Sequence, residues 1–151
     1  MKNSADELEI FQQHHDSILA HISNDPYARS LGIQLTQVDA GFAEATLEIK
    51  NHMLNAHGTV HGAVIYALAD HVFSVACNTY GKTSVGVSTT IQFVEAAELG
   101  DQIMARASEV KRTHRTGFYR IDVYHRQNLI ATMDAVCYRK NQHFIQLEAN
   151  G

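Results

Sequence analysis

The chain has 151 residues, 45% of them hydrophobic and 19% charged, which fits one globular domain able to bury most of its apolar surface. A formal net charge of -4 argues against general affinity for nucleic acid, which rests on excess basic charge. The longest apolar run is shorter than the roughly 20 residues a bilayer requires and carries Asp70 and His71, so no membrane span is expected.

Met1-Lys2-Asn3-Ser4-Ala5-Asp6-Glu7 places acidic residues where a signal peptide would need a basic start and an apolar run. Export is not expected. From about Ala5 to Ser23, Leu8, Phe11, Ile18, Leu19 and Ile22 recur at helical spacing, and Asn24-Asp25-Pro26 stops the helix. A strand from Ile33 to Val38 follows. After Asp39-Ala40-Gly41, the alternation of Ala43, Ala45, Leu47 and Ile49 with Glu44, Thr46, Glu48 and Lys50 predicts a half-buried strand.

The polar loop Asn51 to Val60 leads into Gly62 to Cys77, where apolar residues lie all round a helix, a pattern that predicts complete burial. Tyr80-Gly81 ends this helix, with Gly81 suited to a left-handed cap. Val85, Val87, Thr89, Ile91 and Phe93 then alternate, and strand-like runs cover Gln102 to Val110, Gly117 to Arg126 and Leu129 to Tyr138. Short links such as Thr113-His114-Arg115 and Gln127-Asn128 suit hairpins, so the last four strands should form an antiparallel meander. Asn141 to Gly151 lacks a pattern and is expected to fray. Cys77 and Cys137 have no metal-type spacing and read as small buried hydrophobes in a reducing cytoplasm.

Asp70 is the residue that needs explaining, because an ionised carboxylate inside an apolar helix is costly without a partner or a task. Its structural alternative is a carboxylate satisfied by backbone N–H groups, by His71 or by an arginine. Gly62 sits in the first turn, where N–H groups lack intrahelical acceptors and the helix dipole is positive, so its amide suits an oxyanion. Eight residues of helix separate the two by about 12 Å. If both act on one carbonyl, they must come from different subunits, which predicts a dimer with shared sites. His52, His57, His61 and His71 lack a zincin pattern, and no metal or cofactor is expected. Lys111, Arg112, His114, Arg115 and Arg120 cluster in sequence, and charge alone favours a solvated strand end.

In chain order, Leu31-Gly32-Ile33, the run from His61-Gly62-Ala63 through Leu68-Ala69-Asp70 to Ala76-Cys77-Asn78, Gly100-Asp101, and Arg115-Thr116-Gly117-Phe118-Tyr119 resemble the hotdog acyl-CoA thioesterases. The likeness is strongest to the phenylacetic-acid-type group and spans roughly residues 32–139. It implies an α+β hotdog fold, a curved antiparallel sheet of about six strands wrapped around one long helix. The expected organisation is a single domain over 1–151, with a helical extension at 1–30 and a tail at 141–151. The resemblance implies hydrolysis of an acyl or aryl-acyl thioester to free acid and CoA, with Asp70 as nucleophile or general base and Gly62 as oxyanion donor.

By the same resemblance, Asn55 and His61 help hold the thioester or the helix-opening turn, Ser74 orients a water, and Ser88 supplies a hydroxyl to water or substrate. CoA phosphate contacts fall near the hairpin of Arg112, His114, Arg115, Thr116 and Gly117. The implied partners are acyl-CoA and further copies of the chain, as a dimer or a dimer of dimers. Two departures stand out: Ala63 follows the His-Gly pair where relatives have a second glycine, and Glu95-Ala96-Ala97 replaces a stretch that often holds proline. The alternatives are a hotdog dehydratase or hydratase using His61 and Asp70 as acid and base, and a non-catalytic acyl-CoA-binding domain.

Overall fold

A computed structural model describes residues 4–147. The first expected helix is two, α1 (Ser4–Gln13) and α2 (His15–Ile22), broken at His14, which leaves helical geometry at φ -113°, ψ 18°. Asn24-Asp25-Pro26 ends α2 but also starts α3 (Pro26–Leu31). Asp25 accepts from the Ala28 N–H at 2.9 Å, and Pro26 takes the first helical position, where a missing N–H costs nothing.

Six strands form one antiparallel sheet: β1 (Gln34–Asp39), β2 (Phe42–Glu48), β3 (Lys82–Phe93), β4 (Gln102–Arg112), β5 (Thr116–His125) and β6 (Asn128–His143). Their spatial order is β1-β2-β4-β5-β6-β3. Only β4, β5 and β6 make the expected meander. β3 lies at the far edge, paired with β6 from Ser84↔Arg139 to Phe93↔Ala131. Its link to β4 crosses the end of the sheet, held by Val94 N–H to Ile130 O at 2.8 Å on one side and by Gly100 N–H to Ile49 O at 3.0 Å on the other. The strand β6 also runs into the segment expected to fray; residues 148–151 of that tail lie outside the described residues.

The long helix α4 (Gly62–Asn78) packs across β2 and β4. Its floor is made of paired alanines, Ala43↔Ala107 and Ala45↔Ala105, all fully buried. Such small residues let the helix settle close while Leu68, Val72 and Phe73 fill the flanks. Phe73 meets the Tyr119 ring edge-on at 5.6 Å. Cys77 and Cys137 are buried free thiols, as expected.

One expectation fails. The helix is not buried all round in the single chain: Ala63 and Ser74 are exposed, and Tyr66, Ala67, Asp70 and Asn78 are half-buried. These residues recur at helical spacing on the side turned from the sheet, so a stripe that is apolar around Ala63 and Ala67 and polar from Asp70 on is left uncovered. Among the described residues no helix is long and apolar enough to cross a membrane.

Candidate active site

The loop before α4 is tightly bonded. A 3-10 turn at Asn51–Met53 and a bridge between Leu54 and Val60 fold it back on itself, and Val60 N–H reaches Ala97 O at 2.9 Å. Asn55 organises the tip. Its Oδ1 accepts from His57 N–H at 2.9 Å and Thr59 N–H at 3.2 Å, while Nδ2 donates to Thr59 Oγ1 at 2.9 Å. In this chain Asn55 therefore holds the loop rather than offering free donors. Ala97, in the stretch that departs from the usual proline, is fully buried and supplies that anchoring carbonyl.

His61 caps the helix, its Nδ1 accepting from Ala63 N–H at 3.0 Å. That bond puts the proton of a neutral ring on Nε2. Gly62 follows as the first helical residue, and among the described residues its N–H has no acceptor. The Phe93 ring lies over it: a Cβ built on Gly62 would stand 3.3 Å from Phe93 Cζ. The glycine thus leaves the amide approachable beneath an aromatic wall.

Asp70 lies two turns on and is half-buried. Among the described residues no group hydrogen-bonds its carboxylate. Burial raises its pKa above the ordinary carboxylate value; the charge of His71 pulls it back and that of Asp25 pushes it up again. Ser74, one turn further, is exposed and has no side-chain bond among the described residues.

Thr89, not Ser88, faces α4, because its Oγ1 bonds Tyr66 Oη at 2.9 Å, and strand alternation turns Ser88 to the other face. The shared alternation of Thr89 with Ile91 and Phe93 was the signal that could have chosen the face. Tyr66, Thr89 and Phe93 are the side chains sequence reasoning missed.

The basic hairpin divides in two. Arg112 is fully engaged: Nε donates to Glu7 at 2.8 Å, Nη1 to Glu109 at 2.6 Å, and the guanidinium lies 3.8 Å over the Tyr80 ring. Gly117 is buried, with Tyr119 Cε2 and Cys137 Sγ within 2.9 Å of any added Cβ, so packing explains it. Thr113 and Thr116 close the turn on each other through a hydroxyl contact of 2.7 Å. His114 and Arg115 are exposed.

Beside α4 lies a cavity of about 500 Å³ whose lining includes Asp25, Tyr27, His71, Ser74, Asn78 and Phe144. Among the described residues no three His, Cys, Asp or Glu side chains gather as a metal site.

A free helix-opening amide followed by an unbonded half-buried carboxylate is the arrangement on which comparison with known proteins bears. The profile described as "Thioesterase superfamily" matches residues 57–132, the stretch holding both groups. The chain belongs to the thioesterase superfamily. It is 36% identical over 108 residues to "Acyl-coenzyme A thioesterase PaaI" of Escherichia coli K12, covering 72% of this chain and 77% of that one. The crystal structure of the E. coli PaaI protein from the phenylacetic acid degradation operon superposes with TM-score 0.82 at 31% identity, covering 89% of this chain and 96% of that one. The TT0310 protein from Thermus thermophilus superposes with TM-score 0.76 at 34% identity, over 78% of this chain and 99% of that one. The hotdog expectation is borne out, and membership makes this chain a thioester hydrolase.

Proposed function

We propose that this chain hydrolyses acyl-CoA thioesters to a free acid and CoA, in sites that two subunits build together. The observation that carries the reading is one helix bearing an amide without an acceptor at Gly62 and a carboxylate without a hydrogen bond at Asp70. Acyl-CoA is the substrate class named for the E. coli PaaI relative.

In the general-base form, Asp70 takes a proton from water as its oxygen attacks the thioester carbonyl carbon. The carbonyl oxygen, now an anion, accepts from Gly62 N–H, and from His61 Nε2–H where it reaches. Collapse breaks the C–S bond, and the CoA thiolate leaves with the proton held on Asp70. In the nucleophilic form, Asp70 first forms a mixed anhydride that water then cleaves. Ser74 orients the water, Asn55 holds the loop, and His114, Arg115 and Thr116 meet CoA phosphate oxygens. No cofactor enters either route. Buried free thiols fit a reducing compartment such as the cytoplasm.

The second subunit has a place to dock. β3 is a 12-residue edge strand with no strand paired to its outer side among the described residues, and Val85, Val87 and Phe93 along it are 40%, 62% and 53% exposed. Such an edge is a template for another copy. Antiparallel pairing about a two-fold axis at β3 runs the two α4 helices antiparallel, bringing Gly62 of one chain toward Asp70 of the other. Exposed Val110, Phe118 and Tyr138 on the strands offer a further apolar patch for a dimer of dimers.

The test pairs rate with stability. Asp70→Asn should lower kcat by about 10²–10⁴-fold while raising Tm at neutral pH. The sign follows from burial: a carboxyl whose folded pKa is raised costs stability once pH exceeds that value, and Asn removes that cost. A folded Asp70→Asn protein with the parent's turnover would defeat the proposal. Mixing Asp70→Asn and Gly62→Pro chains should restore activity through hybrids with one intact site.

A further inference from the structure

One imidazole–carboxylate pair ties the helical N-terminal segment to α4 beside Asp70. Asp25 uses both oxygens: Oδ1 caps α3 through Ala28 N–H at 2.9 Å, and Oδ2 lies 3.5 Å from His71 Nδ1. The His71 side chain is 8% exposed. The pair stands between two cavities, the one of about 500 Å³ that Ser74 and Asn78 help line and another of about 420 Å³ lined by Arg29, Gln34 and Leu35. Asp70 is His71's neighbour on the chain and has no hydrogen bond of its own among the described residues; burial raises its pKa first, and the charges that then act on it are those of His71 and Asp25.

We propose that His71, held by Asp25, is the positioning residue that keeps Asp70 ionised as the medium turns acid. The groups around His71 are Asp25 from the α2–α3 link, His21 of α2 on the shared cavity, Arg29 of α3 on the other cavity, and Asp70 on its own helix. Two of these are carboxylates close enough to act on the ring. Without a cation between them they repel, and Asp70 is pushed toward its neutral form. A proton on His71 answers both charges. Burial works against that proton and lowers the imidazole's affinity, while Asp25 and Asp70 draw it back.

This rests on Asp70 performing the chemistry. Losing the His71 cation should therefore move the acid limb of the pH–rate profile to higher pH. His71→Asn keeps a donor near Asp25 and removes the charge. The acid limb of its kcat profile should lie about one pH unit above the parent's, a tenfold lower kcat relative to the plateau at any pH below both midpoints, and His71→Lys should bring the limb back down. An unmoved limb in folded His71→Asn protein overturns the inference. The second measurement needs no variant: a ¹⁵N-histidine titration of the unaltered protein. An imidazole still neutral where activity is half lost overturns the inference equally. An inactive Asp70→Asn beside an unmoved His71→Asn profile sinks this inference alone, whereas an active Asp70→Asn sinks the proposed function.

Discussion

The two ends of α4 are built on opposite terms. Past its C-terminal end, the half-buried and buried charges are bonded to one another: Tyr80 O–H donates to Glu109 at 2.5 Å, Arg112 holds Glu7 and Glu109, and Arg139 donates to Glu7 at 2.5 Å and to Thr113 O at 2.7 Å. At the N-terminal end, Gly62 N–H lacks an acceptor, and two turns on Asp70 lacks any hydrogen bond among the described residues. Both regions hold charge or strong dipoles, so charge alone does not mark the reactive end. Saturation does. Where partners complete every group the chain gains rigidity; where they are withheld, a substrate can supply them.

The largest expected effect breaks the open end. Proline is tolerated at the first helical position, and His61 before it is already extended at φ -63°, ψ 133°. Gly62→Pro therefore deletes the N–H with little cost to α4 and should lower kcat by about 10²–10³-fold. Gly62→Ala, which keeps the amide and only crowds Phe93, is the control; equal losses in both would show that space, not the donor, matters.

At the saturated end the readout should be stability instead. Burial alone would raise the Glu7 pKa, but hydrogen bonds and charge from Arg139 and Arg112 overcome it and hold the carboxyl below its ordinary 4.5. With the folded value depressed, Glu7 stabilises fully above the unfolded value, and that contribution disappears as pH falls through the folded one. Glu7→Gln should cost about 2 kcal/mol at pH 7, read as a lower Tm, and the gap from the parent should close on acidification. Turnover should not change.

Much of this contrast was legible in residues. The strand alternation from Ala43 to Ile49 pointed to the sheet, and the His61-Gly62 opening and Asp70 within an apolar run pointed to the two groups that the structure leaves without hydrogen-bond partners among the described residues. The stripe of Ala63, Ala67 and Ser74 was not legible as uncovered, because small apolar residues read as buried whether their own chain or another covers them. Arg112 looked like a phosphate ligand because its partner Glu7 lies 105 positions away, and no local pattern carries such a pairing. The alternation read through Val85, Val87 and Thr89 is broken by a bulge between Gly86 and Ser88 that shifts the register with β6, so only its later part, Thr89, Ile91 and Phe93, carried the signal for the face.

A smaller effect separates the two arginines of the hairpin. Arg115 is exposed while Arg112 is held by two carboxylates, so under the proposed function Arg115 is the arginine with a guanidinium to offer a CoA phosphate. Arg115→Ala should raise KM about fivefold with kcat held, the signature of lost uniform binding. The parent's preference for CoA over dephospho-CoA thioesters should shrink with it. An unchanged preference would move phosphate recognition elsewhere.

The smallest expected effect lies on the Tyr66–Thr89 bond, which ties α4 to the edge strand one turn before Asp70. Neutral hydrogen bonds of this kind contribute about 1 kcal/mol, so Tyr66→Phe should lower Tm slightly. Stability alone would not distinguish a catalytic tie from a structural one. The double-mutant cycle with Thr89→Val does, because residues that act through one bond are non-additive. If the bond fixes α4 against the strand that carries Phe93, the two changes should reduce kcat by the same factor singly and together. Additive losses would mean that each side chain touches the substrate independently, and the open end of α4 would then be wider than Gly62 and Asp70.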